Sequence, residues 1–190
     1  MTQLPSFISS KLSSDFALTW TSLKYPQATD LIGAWTLSIF GIEFEDQRPV
    51  FFPFGQQASG LLIYSSCRHM SAILSHQDCP PFSIIDLEKS HQAPISDKAK
   101  AFDHYLSYGG TWEINHHDQN PPSPSFEISH YLQWSLTPHL KGTVNKRRGT
   151  LWTSNHDPSS LILHLYYHRI ARSGIRRTYH LLWQKKKRTV

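Results

Sequence analysis

Cysteine is scarce in this chain: Cys67 and Cys79 are the two among 190 residues. Two thiols cannot framework a domain of this size, and no Asn-x-Ser/Thr acceptor occurs, so the composition reads as a reduced, cytoplasmic protein, with a Cys67–Cys79 bridge as the minor alternative. Charge is also sparse, at 17% of residues, which excludes a solvated disordered chain. No apolar run approaches the roughly 20 residues a membrane helix needs. Met1 to Lys11 lacks the basic start and apolar stretch of a signal peptide, so no membrane partner is expected. Catalytic signatures are missing too. There is no Gly-rich phosphate loop, no Gly-x-Ser-x-Gly, no His-Glu-x-x-His and no paired-Cys motif, which argues against nucleotide cofactors, familiar hydrolase chemistry and a metal.

Acidic residues nearly vanish toward the C-terminus. Residues 1–140 hold 7 Lys+Arg against 13 Asp+Glu, whereas residues 141–190 hold 12 Lys+Arg against Asp157 alone. Such asymmetry can mark a nucleic-acid surface. No binding motif accompanies it, and Lys185-Lys-Lys-Arg188 reads as a solvated chain end rather than a nucleic-acid site.

Aromatic side chains are abundant: six Trp, eight Tyr and ten Phe. They favour strands and also line ligand pockets. From Leu31 the pattern is that of β-structure. Leu31–Phe44 is a long apolar stretch with Trp35, Leu37 and Ile39 expected on one face. Short strands follow at Val50–Phe54, Gly60–Tyr64 and His69–Ser75, the last two forming a hairpin. Residues 77–97 and the Pro-rich 116–125 read as loops. Asp97–Tyr108 is the one helix candidate, capped by Ser96 or Asp97, with Ala99, Phe102, Tyr105 and Leu106 on one face and Gly109-Gly110 as its stop. Strands resume at Thr111–Asn115, Phe126–Leu136, Lys146–Thr153, Leu161–Ile170 and Arg176–Gln184. About eight or nine strands joined by short turns, without βαβ alternation, predict an all-β, closed antiparallel up-and-down barrel able to hold one small ligand. Residues 1–30 form a lead-in, 31–184 the barrel and 185–190 a basic tail.

His130 is the most informative polar residue. Alternation along a strand places Phe126, Ile128, His130, Leu132 and Trp134 on one face. That face is apolar but for the imidazole, which is either a pocket group that bonds a ligand carbonyl and moves a proton, or a core histidine satisfied by a neighbour. Tyr64, Tyr108 and Arg148 are the other catalytic candidates. Arg148 shares its face with Lys146, Thr150 and Trp152, and if buried it needs an anionic or enolate-like partner. Trp112, Trp134, Ser71, Tyr105, Phe126 and Leu132 are candidates for the pocket wall. The alternative for each is a structural hydrogen bond or core filling. His116-His117-Asp118 and the pair His164 and His168 invite a metal. The latter pair sits on a strand, where a separation of four residues is about 13 Å, too far to share an ion.

Leu31-Ile-Gly-Ala-Trp35, Pro53-Phe-Gly55, Gly60-Leu-Leu-Ile-Tyr64, Met70-Ser71-Ala72, Tyr105-x-x-Tyr108-x-Gly110-Thr111, Phe126-x-Ile-x-His130, Ser135-Leu-x-Pro138, the basic strand at Arg148 and Leu182-Trp183 stand in an order and spacing that resemble the bacterial and fungal lipocalin-like domain family. Cys67-Arg68 stands where such sequences usually carry an Asp-Gly turn, and loops 77–97 and 116–125 are longer than usual. The resemblance implies a lipocalin-like barrel in which Trp35 plugs the base. Some members accompany biosynthetic gene sets. By association this points to a cofactor-independent cyclase or isomerase, pericyclic chemistry included, acting on an apolar natural-product intermediate. A non-catalytic carrier of a hydrophobic small molecule needs the same walls and is the alternative.

Overall fold

In the computed structural model, the described residues are 6–9, 19–79, 94–115 and 126–186. Nine strands are laid down in chain order: β1 (Trp20–Ser22), β2 (Gly33–Phe44), β3 (Ser59–Tyr64), β4 (His69–Ser75), β5 (Tyr105–Asn115), β6 (Phe126–Ser135), β7 (Val144–Ser154), β8 (Leu161–Ile170) and β9 (Arg176–Lys185). Strands β2 to β9 each pair antiparallel with the next, and β9 returns to β2. This is a closed eight-stranded barrel, as the turn spacing predicts, and closure leaves no free sheet edge among these strands. β1 is the ninth strand. It pairs with Trp152–Ser154 of β7, beyond the point where β6 leaves that strand.

Inside the barrel, Trp35, Trp112, Trp183, Tyr64, Phe126, Leu62 and Leu163 are fully buried in one cluster. One end is shut by Trp35, whose Nε1–H donates to Leu31 O at 2.8 Å from the short helix Ala28–Leu31. Lys185 seals the same end. Its Nζ lies 5.2 Å from the Trp35 ring centroid and donates to Asp30 O at 2.7 Å. The lead-in thus closes the barrel base. Lys185, expected in the solvated tail, is instead the last residue of β9.

A second core lies outside the wall. Ile39, Trp152, Ile162 and Leu182 face outward from β2, β7, β8 and β9 and are covered by Ile8 and Phe7 of the helical turn Ser6–Ser9 and by Phe52. Gly41 has no side chain to hold Phe7 off; a Cβ there would lie 2.7 Å from the Phe7 ring. Beneath this cover, His164 Nε2 lies 3.0 Å from His180 Nδ1, their rings stacked at 5.2 Å. His180 Nε2 stands 3.5 Å from Glu43 Oε2. Burial first, and His180 second, push His164 down to about 3; burial first, and His168 second, push His180 down to about 4.

Two bulges change which way residues point. In β2 the register shifts between Leu37 and Ile39. Ser38 is the extra residue, so Leu37 faces the lumen while Ile39 joins the outer core, not the face of Trp35. Between β5 and β6 the register shifts at Gly109/Gly110, which pair with Trp134 and Leu132 and leave Gln133 unmatched. Gly110 is required there, since a Cβ would collide with Tyr131 O.

The helix is Ile95–His104, begun at Pro94 with no side-chain cap from Ser96 or Asp97. It ends five residues before Gly109, and Tyr105 starts β5, so Tyr105 and Tyr108 are strand residues. Phe102 is exposed, so the expected buried helical face does not form. Phe51 makes only an isolated bridge to Ile42, and Val50–Phe54 is not a strand. Residues 80–93, 116–125 and 187–190, including His116, His117 and Asp118, lie outside the described residues. Both cysteines are free thiols. No helix among the described residues is long and apolar enough to cross a membrane.

Candidate functional site

β6 keeps strict alternation from Phe126 to Leu132, so Phe126, Ile128, His130 and Leu132 all point into the barrel and are buried. His130 Nε2 is 2.8 Å from Tyr64 Oη, and the Tyr64 ring packs 4.8 Å from Trp112. The phenol and Nε2 share this one hydrogen bond, and Nδ1, on the far side of the ring, is buried and unpartnered. Burial, and secondarily the Arg147 guanidinium, press His130 down to about 3; burial drives the Tyr64 phenol well above its ordinary value. Both groups are neutral at pH 7.

Arg147 is the residue sequence reasoning missed. The expected cation, Arg148, faces solvent from the outer side of β7, while Arg147 points into the barrel and is only 7% exposed. Its Nη2 donates to Tyr108 Oη over a long 3.4 Å, and its guanidinium lies 4.6 Å from the Tyr167 ring centroid. Tyr167 in turn stacks on Tyr179 at 4.5 Å. Nη1 has no partner. Burial works against the charge, but the surrounding phenols Tyr108, Tyr167 and Tyr64 outweigh it and hold Arg147 above its ordinary value, so it is a cation at any working pH.

Tyr108 and Arg147 form the inner wall of a cleft of about 430 Å³ at the open end of the barrel, opposite Trp35. Leu106, Leu140, Val144 and Tyr167 give it apolar and aromatic walls, and Asn145, His139 and Arg169 give it polar ones. The turn Pro138–Leu140 overhangs it. The volume falls in the range of small-molecule sites.

The structure brings together Tyr64, Trp112, Phe126, His130 and Leu132 in the packed lumen, with Tyr108 between them and the cleft: its ring centroid is 6.2 Å from that of His130. His130 itself does not line the cleft. It does not bring in four others. Ser71 faces outward, because Met70, Ala72 and Leu74 take the inner face of β4. Trp134 is 63% exposed, turned out by the Gln133 bulge; Tyr105 and Arg148 are on the outer surface. Arg147 was hidden in the run Lys146-Arg147-Arg148, and Tyr167 and His139 carried no motif. The signal for Arg147 was alternation from Leu151 through Gly149, which reads correctly only if Trp152 is known to face outward.

A family model described as a lipocalin-like domain matches residues 32–186. No curated protein and no solved structure matches the chain significantly.

Proposed function

Because the chain belongs to the lipocalin-like domain family, we propose that it binds an organic small molecule in the cleft at the open barrel end and catalyses its cyclisation or isomerisation without a cofactor. The observation that supports this reading is the Arg147–Tyr108 pair. A guanidinium nine-tenths buried, with no carboxylate beside it among the described residues, is aimed with a phenol at one small volume. Two such donors polarise a carbonyl and stabilise the oxyanion or enolate that forms when a proton leaves the adjacent carbon and its electron pair moves to oxygen. In an isomerisation the proton returns at another carbon; in a cyclisation the enolate carbon attacks a carbonyl or enone carbon of the same molecule, whose π electrons move to oxygen, and the same proton is returned to the anion so formed; mass is conserved in both. Fixed walls such as Tyr167 and Leu140 hold the chain in a reactive conformation, which supplies part of the rate. His139 and His168 are the imidazoles that line the cleft and can carry the proton.

A carrier is the second reading. It is favoured by the position of His130, whose ring is tied to Tyr64 and does not line the cleft. The test is incubation with polyene or polyketide intermediates, followed by chromatography and mass spectrometry. Catalysis predicts a product of unchanged mass. It also predicts that Tyr108→Phe lowers turnover by about 10²-fold, the usual effect of removing one oxyanion donor. Saturable binding with substrate recovered intact establishes the carrier.

A further inference from the structure

The polar groups of this barrel are unbalanced in kind. Arg147 Nη1, Trp112 Nε1, Trp183 Nε1 and His130 Nδ1 are buried without a hydrogen-bond partner. The guanidinium and the two indole nitrogens can only donate. A buried donor without an acceptor costs free energy, and a buried cation without an anion costs more. Proteins normally remove such a cost by placing a carboxylate nearby. Among the described residues no Asp or Glu side chain is buried, and none lines the cleft.

The imbalance grows toward the mouth. Arg169 lies on the inner face of β8, its guanidinium 5.6 Å from the same Tyr167 ring that Arg147 covers from β7. Arg177, paired with Arg169 across β8 and β9, has a buried Nε with no partner and packs over Phe44. Three adjacent strands thus direct guanidinium groups at one end of the barrel, supported on aromatic faces rather than on counter-ions. Arginine is suited to this, since its planar fork takes both oxygens of a carboxylate and stacks on rings.

We propose that the ligand of this cleft is an organic carboxylic acid, bound as its anion, with the carboxylate on Arg147 and the hydrocarbon part against Tyr108, Tyr167 and Leu140. This rests on the small-molecule-binding part of the reading above, adds the charge of the ligand to it, and gives the Arg147 guanidinium to the ligand's carboxylate instead of to a reacting carbonyl. The carboxylate completes the group that the chain leaves without a counter-ion, and Arg169 at the rim draws the anion in.

The experiment compares cinnamate, methyl cinnamate and cinnamyl alcohol on the full chain by thermal shift and isothermal calorimetry, with Arg147→Met alongside. Cinnamate is expected to bind about tenfold or more tightly than either neutral analogue, to weaken as salt is raised, and to lose that preference in Arg147→Met. The variant is also expected to melt at a higher temperature than the parent without ligand, because an unpaired buried cation has been replaced by an apolar chain of similar length. Neutral analogues that bind as well as the acid would overturn the carboxylate inference and leave the small-molecule reading standing. Binding by none of the three would overturn both. A fall in melting temperature of Arg147→Met, with the acid preference retained, would show that the guanidinium is structural and overturn the inference by itself.

Discussion

The Tyr64–His130 hydrogen bond is the best place to test whether the barrel interior works as a coupled unit. Tyr64→Phe leaves Nε2 of a fully buried imidazole without its partner, and an orphaned buried polar atom costs about 1–3 kcal/mol. In a chain of this length that lowers the melting temperature by roughly 2–12 °C. His130→Phe fills the same space but strands the Tyr64 hydroxyl, at a similar cost. The double variant removes both polar groups and should lose less than the two single losses added together, with a coupling of about 1–3 kcal/mol. Urea denaturation of the four proteins measures this directly. A pH series adds a second signature. The folded pKa of His130 is about 3, below the unfolded value near 6.5, so between these values the unfolded chain binds a proton that the folded chain refuses. Stability is therefore flat above pH 6.5 and falls as the pH drops toward 3, by about 1.4 kcal/mol per unit for each such histidine. His164 and His180 behave alike, with values of about 3 and 4, so the parent shows the slope of up to three histidines and His130→Phe loses one share. Additive single variants, or an unchanged slope in His130→Phe, would refute the reasoning.

Two further predictions concern packing. Gly149 lies directly under the Phe126 ring, so Gly149→Ala overfills the lumen and should destabilise by about 1–3 kcal/mol in thermal melts, with partial recovery when Phe126→Leu makes room. Ending the chain after Lys186 should leave the melting temperature unchanged. Ending it after Gln184 removes the Lys185 contacts to Trp35 and Asp30 and should lower it measurably.

The barrel was legible because its strands are joined locally and their turns are marked by Gly, Pro and Asn. His130 was legible because β6 alternates without interruption from Phe126 to Leu132. Reading failed wherever both faces of a strand are apolar or where alternation breaks. On β7, Trp152 and Thr150 look like lumen residues, yet they face the outer core under Ile8 and Phe7. That error moved the inward cation from Arg147 to Arg148. Trp134 was misplaced by one unmatched residue, Gln133. Tyr105 was assigned to the helix because Phe102, Tyr105 and Leu106 carry a helical spacing, while the hydrogen-bonded ladder to β4 claims Tyr105 and Leu106 for β5. The cleft itself is built by the turn 138–140 and the ends of three strands, an arrangement with no one-dimensional pattern to find.

The bulge at Gln133 gives β6 one residue of spare length without changing which side chains face the lumen. Residues on the barrel-end side of it are out of phase with those on the base side. A deletion of Gln133 alone would leave Leu132 opposite Gly110 and Trp134 opposite Gly109, so the bulge would vanish while Trp134 still faced outward and every residue from Phe126 to Leu132 kept its direction. The same single-residue change elsewhere in β6 would invert the lumen and unfold the protein. This one position is therefore where β6 can gain or lose a residue while the directions of all lumen side chains are inherited intact.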